Sequence, residues 1–493
     1  MITFTLKELA QLARLETRSE QAIATVSTNS QEIGPQCLFV PLKGERFDGH
    51  DFIAGALAQG AVAYASSRPD TAETSAVKVA CPHTLRLLGK CGQLVRRKSQ
   101  ALVCAITGSC GKTTVKEMTA AILSQCGATL ATKGNFNNDV GVPLTLLRLQ
   151  PEHQYAVIEQ GASHLLDIAR TAEFVESDFA LITNVGAAHI EGFGSREGVY
   201  QGKSELLTNL FARFPERNDD GKLPLGRGIG IVPCDSPWWH QWQQDFAAQL
   251  KQGRLLSFGE SEDATMRVSA IGQTGDELSF TLTCTVPGLE LNETVTLKTL
   301  GRHNAINAAG AALLGRVMGA TFEQIVAGLV ASSNLSGRLT PHRFACGLTV
   351  IDDAYNASFN AVIAALDTLK QCQGSRIMVF GDMGELGDAA AQLHYKVGEA
   401  ACTRVDAFLA LGPLSQEAIA AINLCDAADK VVTNASHSAS HEELIPRLSA
   451  TIKAELAQGH QVTCLIKGSH AMHMEKVVAA LLELGAQLDQ LSN

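Results

Sequence analysis

The chain has no uncharged apolar run of about 18 residues, so a membrane-spanning helix is not expected. Its first residues, Met1-Ile2-Thr3-Phe4-Thr5-Leu6-Lys7-Glu8, lack a basic start followed by an apolar core and give no sign of a secretory leader. The 13 cysteines are odd in number and contain no Cys-x-x-Cys pair, which argues against a disulfide framework or a zinc ribbon and for a reducing compartment. The 14 prolines are not clustered, and neither a low-complexity tract nor a repeat of solenoid length is found. Positive charge is in short supply: the formal net charge of −10 argues against a general nucleic-acid binder, while leaving room for a local basic pocket that holds phosphates. These absences together predict a soluble, cytoplasmic chain with no nucleic-acid partner and no membrane insertion.

What is present points to α/β architecture. Hydrophobic residues at 46%, charged residues at 18% and 43 glycines describe a compact, turn-rich protein, and 493 residues exceed what one core usually holds. Three domains are expected, over 1–99, 100–338 and 339–493. The first reads as a small separate module with a strand over Cys37–Leu42 and a helix over Asp51–Gln59. From Ala101 onward apolar runs alternate with helical patterns, which predicts a parallel sheet with crossover helices. Arg267–Ile271, Leu278–Val286 and Glu290–Leu297 read as antiparallel strands of the same central domain. Beyond a hinge at Gly337-Arg338-Leu339-Thr340-Pro341, apolar runs at Leu348, Arg376, Ala407 and Val462 and the helices between or after them predict a second doubly wound unit.

The most informative stretch is Thr107-Gly108-Ser109-Cys110-Gly111-Lys112-Thr113-Thr114, fed by the apolar run Ala101–Ile106 and followed by a helix over Val115–Leu123. Small residues let backbone N–H groups close on an anion, the helix dipole points at the charge, Lys112 adds a cation, and a Thr113 or Thr114 hydroxyl suits Mg²⁺. The expected ligand is a nucleoside triphosphate. The spacing Gly-x-x-Gly-Lys-Thr is two residues shorter than a standard P-loop, with Ile106 where the first glycine of that motif would stand. Cys110 reads as a small residue that fits the turn rather than as a nucleophile.

Other residues remain open on composition alone. Glu159 ends the run Tyr155–Ile158, at the carboxyl end of a buried strand, where it is either a Mg²⁺ ligand or a solvated loop acid. His189 also follows a strand, although Mg²⁺ prefers oxygen donors. Asn135, Asn137 and Asn138, in the run Gly134–Pro143, are turn formers or phosphate and substrate contacts. Asn304 and Asn307, after Gly301-Arg302-His303, read an adenine edge or cap a helix. Lys203 taken alone is a solvated helix lysine.

These motifs in their order, Gly108-x-x-Gly111-Lys112-Thr113-Thr114, Asn135-x-x-Asn138-x-x-Gly141-x-Pro143, Glu159, Ala188-His189-x-Glu191, Gly301-x-His303-Asn304-x-x-Asn307 and Asp353-Ala354-Tyr355-Asn356-Ala357, resemble the Mur ligase family across nearly the whole chain. The resemblance implies a small N-terminal α/β domain for a UDP-sugar, a central P-loop-type domain with a mostly parallel sheet, and a C-terminal Rossmann-like ligase domain. It implies ATP and Mg²⁺ as cofactors. Gly108, Ser109, Cys110, Gly111, Lys112, Thr113 and Thr114 would hold phosphates, and Thr113, Glu159, His189 and a carbamylated Lys203 would hold metal, with Lys112, Glu159, His189 and Lys203 as the catalytic set. By position Asn304, His303 and Asn307 would contact adenine, while Arg338, Asp353 and Asn356 would reach the nucleotide. Ser30, Lys43, Gly44, Asn135 and Asn138 would bind substrate.

Lys43-Gly44-x-x-Phe47-Asp48-Gly49-His50 and Gly381-Asp382-Met383-x-Glu385-Leu386-Gly387, with Lys467-Gly468-Ser469, most resemble the family member whose substrates are UDP-N-acetylmuramoyl-tripeptide and D-alanyl-D-alanine. Catalysis by a monomer is expected. The Asp-Asn-Pro-Arg motif of the ligase that adds the third residue is missing, which also counts against a folate polyglutamate ligase; a nucleotide-binding scaffold without ligase activity is the rival of a different class. Thr28-Asn29-Ser30-Gln31 stands where the family usually carries Asp-Ser-Arg, so a charge-assisted contact at the UDP end is absent.

Overall fold

The computed structural model describes residues 1–44, 47–69, 75–186, 189–216, 221, 223–332, 339–427 and 429–492. Arg338 and Gly337 of the expected hinge, and Ala187 and Ala188 before His189, lie outside the described residues.

The N-terminal segment carries a four-stranded parallel sheet, Thr25–Ser27, Cys37–Phe39, Ala63–Ser66 and Val77–Ala80, beside a short antiparallel pair, Phe4–Thr5 with Ala22–Ile23. Thr5 and Glu8 form a reciprocal capping box that starts the helix Leu6–Ala13. On one side the segment has a small apolar cluster of its own, Phe39, Ile53, Ala56, Ala61 and Tyr64, and on the other it shares a core with the central domain. Helix Thr84–Lys98 packs against helices Gly141–Leu146 and Asp167–Val175, and one apolar cluster runs from Phe4, Leu38 and Val95 into Val142, Leu146 and Phe174. Arg96 clamps this junction: it is almost wholly buried, donates to the carbonyls of Val175 and Glu176, and pairs with Asp178 at 2.9 Å.

The central sheet has nine strands in the order Leu291–Lys298, Glu277–Cys284, Met266–Thr274, Leu255–Gly259, Ile229–Pro233, Phe179–Ile182, Leu102–Thr107, Tyr155–Glu159 and Thr129–Ala131. The last seven run parallel, and the inner ones are apolar throughout because helices cover both faces. The first three form an antiparallel meander in which fully buried and more accessible residues alternate along Glu277–Cys284, as a sheet with one better-covered face requires. Helices Lys112–Ser124, Arg302–Val317 and Phe322–Ala331 cover one side with Val115, Ile122, Leu313 and Leu329.

The C-terminal sheet has six strands, Thr340–Arg343, Leu348–Asp352, Val462–Lys467, Ser375–Gly381, Ala407–Leu411 and Asn434–Ser438, parallel except for the first. Two apolar clusters flank it: Val362, Leu366 and Val397 on one face, Leu444, Leu448 and Leu481 on the other. It is a doubly wound unit, as the alternation of runs predicts. The strands Thr340–Arg343 and Asn434–Ser438 and the helices Gln416–Asn423 and His441–Ala457 are additions to that reading.

Candidate active site

A cleft of about 960 Å³ opens between the central sheet and the C-terminal domain, at the carboxyl ends of the parallel strands. The phosphate loop forms its floor. Gly108, at φ 152, follows the strand Leu102–Thr107 so closely to Thr183 that a Cβ there would collide with its hydroxyl. Gly111, at φ 76, lets the chain enter the helix Lys112–Ser124 without a side-chain cap, so the first N–H groups of that helix face the cleft. The loop is braced from the next strand. The N–H of Cys110 donates to Asn184 Oδ1 at 3.0 Å, and Thr183 Oγ1 and Asn184 Nδ2 both donate to the Cys110 carbonyl. Ser109 accepts from the Gly186 N–H through Oγ at 2.9 Å. The Lys112 ammonium folds back on its own loop and donates to the Gly108 carbonyl at 2.8 Å, the posture of a cation lying over a phosphate-sized hollow.

Glu159 is 1% exposed. Its carboxylate accepts from the Thr113 hydroxyl at 2.9 Å and from Asn137 Nδ2 at 2.8 Å, and its N–H donates to Thr132 Oγ1 at 3.0 Å. Among the described residues the donors that meet this buried carboxylate are neutral, and a divalent cation beside Thr113 fits the oxygen-rich pair. The structure thus brings Thr113 and Glu159 together. His189 lies in the same cleft in the left-handed region, at φ 55, with its ring paired to the carboxylate of Glu385 from the C-terminal domain. That hydrogen bond, more than the charge, holds the Glu385 carboxyl below its ordinary range. Among the described residues no group of three or more His, Cys, Asp and Glu side chains gathers as a metal site.

Lys203 is fully enclosed on the helix Arg196–Arg213, not solvated. It donates to the Ala162 carbonyl at 3.0 Å and lies over the Phe193 ring. Burial, and then the nearby charge of Lys112, pull its pKa well below the ordinary lysine value. Asn135 and Asn138 line the cleft, but the Asn138 side-chain oxygen is taken by the N–H groups of Val140 and Gly141, which caps the helix Gly141–Leu146. Asn135 Oδ1 accepts from Asn137, and Asn137 is the member of this run that reaches Glu159.

Asn304 and Asn307 sit on the first turns of the helix Arg302–Val317, with the Asn307 side chain against Gly111 and its Nδ2 donating to Asn304. Neighbouring His303 is brought down to about 4 by burial, reinforced by the charge of Lys467. From the opposite wall Asp353 and Asn356 face the loop. The ammonium of Lys467, 3% exposed, joins them through Asp353 Oδ2 at 2.7 Å and the Asn356 carbonyl at 2.9 Å. Arg338 lies outside the described residues. Ser30, Lys43 and Gly44 are in the N-terminal domain and do not line this cleft; the backbone of Lys43 forms an isolated antiparallel β-bridge with that of Asp48, and the Gly44 N–H donates to the Phe47 carbonyl. A wider depression of about 1150 Å³ lies between Leu6–Ala13, Thr84–Lys98 and Glu173, and contains none of the loop residues.

Two residues with a place in this geometry carried no role in the sequence reading: Asn184 and Lys467. The signals were present, since Asn184 follows a strand and Lys467 opens Lys467-Gly468-Ser469. Their partners Cys110 and Asp353 are 74 and 114 residues away, which no local pattern reveals.

The fold and the loop define an α/β protein with a phosphate-binding loop, whose described residues form three larger sheets and one two-stranded pair. Three family descriptions match it: Mur ligase family, catalytic domain, over 22–98; Mur ligase middle domain, over 106–315; and Mur ligase, glutamate ligase domain, over 337–470. UDP-N-acetylmuramoyl-tripeptide–D-alanyl-D-alanine ligase of Escherichia coli K12 is 39% identical over 487 residues, 98% of this chain and 100% of that protein. The protein of the same name from Haemophilus influenzae is 33% identical, over 98% of this chain and 99% of its own length. A crystal structure of MurF from Acinetobacter baumannii superimposes with a TM-score of 0.85 at 31% identity, covering 98% of this chain and 99% of that one. The chain belongs to the Mur ligase family, and is accordingly a ligase.

Proposed function

We propose that this chain joins D-alanyl-D-alanine to UDP-N-acetylmuramoyl-tripeptide, with ATP converted to ADP and phosphate, in the making of the cell-wall precursor. The observation that carries the reading is that the phosphate loop faces Asp353 and Lys467 across one cleft in a chain similar from end to end to relatives of that name. The working division is 1–99 for the UDP-sugar, 100–338 for ATP and 339–493 for the ligase domain.

The chemistry follows from making an amide in water. A carboxylate is a poor electrophile, so an oxygen of the tripeptide carboxylate attacks the γ-phosphorus and ADP leaves, giving an acyl phosphate. The dipeptide amine then attacks the acyl carbon, loses a proton and expels phosphate. Gly108 to Thr114 would cradle the phosphates, with Lys112 meeting the charge that develops on the transferred group. Thr113 and Glu159 would hold Mg²⁺, with His189 entering once Glu385 releases it; the metal, when bound, neutralises phosphoryl charge. Asn304, Asn307 and His303 would receive the adenine, and Asp353 and Asn356 the ribose and phosphates. Approach of the C-terminal wall excludes water from the acyl phosphate.

Lys203 is the candidate for carbamylation. Burial that favours its neutral amine also favours attack on CO₂, and the resulting anion would stand near the metal. Activity of Lys203→Ala should return with short carboxylic acids; full activity without them removes the role.

The test is phosphate release from ATP and Mg²⁺ with each substrate alone and with both, together with the mass of the product. Release that needs both, and a product heavier by the dipeptide less water, is expected. Turnover with a different amine leaves the family in place and overturns the substrate; no turnover favours a scaffold.

A further inference from the structure

Lys116 is a buried cation without a part in the chemistry above. Its side chain is 0% exposed. It stands four residues after Lys112 and three after Thr113 on the helix Lys112–Ser124, one turn deeper on the same face. Its ammonium donates to the Thr132 carbonyl at 2.8 Å and to Glu117 Oε1 at 2.5 Å. Thr132 follows the strand Thr129–Ala131, and its N–H donates to the Val157 carbonyl at 3.1 Å. Its hydroxyl oxygen accepts the N–H of Glu159 at 3.0 Å. An unbroken line of contacts therefore leads from Lys116 through Thr132 to the residue whose carboxylate meets Thr113 and Asn137.

A fully buried ammonium is costly unless well partnered, and an apolar side chain would fill the same space. What an apolar residue lacks is a bond to the Thr132 carbonyl. Without it, the turn that carries the Thr132 hydroxyl loses its tie to the phosphate-loop helix.

We propose that Lys116 is a positioning residue for Glu159: by tying Thr132 to the helix that carries Lys112 and Thr113, it sets the carboxylate beside the Thr113 hydroxyl, the two groups that would hold a divalent cation. The inference rests on the metal role given to Glu159 above.

The test is calorimetric binding of ADP in Mg²⁺ and in EDTA, for the parent, Lys116→Met, Lys116→Arg and Thr132→Val. In the parent, Mg²⁺ should tighten binding. Lys116→Met should lose about tenfold or more of that gain, the usual cost of removing a group behind a metal ligand, with binding in EDTA unchanged. Lys116→Arg should restore part of it. Thr132→Val, which keeps the carbonyl acceptor and removes only the hydroxyl, should show the same selective loss, and the double variant should be no worse than the poorer single one. Should Lys116→Met fail to fold, Lys116→Gln, which removes the charge and shortens the reach to the Thr132 carbonyl, takes its place. The proposal is overturned if the Mg²⁺ gain survives removal of the Lys116 ammonium, or if binding falls equally in EDTA, the mark of a purely structural part. A parent with no Mg²⁺ gain at all would instead remove the metal role of Glu159, and the inference with it.

Discussion

The two walls of the cleft are built on different terms. On the central wall the loop Gly108–Gly111, Thr113 and Glu159 stand at the ends of adjacent parallel strands, Leu102–Thr107 and Tyr155–Glu159, and their geometry comes from the backbone. On the C-terminal wall the functional group is a pair assembled from afar, Lys467 with Asp353, 114 residues apart in the chain and adjacent only because their strands neighbour one another. The walls meet through Glu385 and His189, and by the close approach of Gly387 to Glu191. The difference teaches where each kind of control resides. The central wall is preorganised for charge by its own backbone, and the facing wall completes the cleft with side chains paired over long sequence distances.

The largest expected effect tests the central wall. Lys112→Met should lower turnover by about 10³-fold or more, since it removes the cation that lies over the loop hollow, while the melting temperature stays within a few degrees of the parent. Comparable turnover would mean that the preorganised charge does not reside there. Next comes the facing wall. Asp353→Asn leaves the buried Lys467 ammonium without its carboxylate, and about 3–5 kcal/mol of stability should be lost from the C-terminal domain, visible as an earlier transition in chemical unfolding. If only turnover falls, the pair serves the nucleotide and not the fold.

The smallest effect concerns the contact between the walls. His189 holds the Glu385 carboxyl below its ordinary 4.5, so the native chain binds fewer protons than the unfolded one in that range. The pair's stabilisation is therefore present above about 4.5 and is lost as pH falls through the lowered native value. Because Glu385 is 64% exposed, Glu385→Gln should shift the melting temperature at pH 7 by no more than about 3 °C, and the shift should vanish in acid. A large shift that persists in acid would show that the walls are joined by more than this pair.

Much of the fold was legible because period and punctuation are local. The runs Leu102–Thr107, Tyr155–Glu159 and Phe179–Ile182 and the intervening helices follow the expected alternation, and the antiparallel meander at Met266–Lys298 follows from its period of two. The strands Ile229–Pro233 and Leu255–Gly259 were not foreseen. Neither was the merging of the N-terminal core into the central domain, because Gly89 meeting Phe174, or Arg96 meeting Asp178, is a relation between distant segments.

The sequence by itself determined the phosphate cradle, since Gly108, Gly111 and Lys112 impose their backbone and charge within six residues of one another. It also determined the carboxylate at a strand end and the doubly wound third unit. Only the tertiary structure decided that Lys203 is enclosed rather than solvated, that the Asn138 oxygen is spent on a helix cap while Asn137 reaches Glu159, and that His189 meets Glu385. The physical reason is that spacing along a chain fixes which way a side chain leaves its own element, whereas burial, charge pairing and free lone pairs depend on what the rest of the chain brings to the other side.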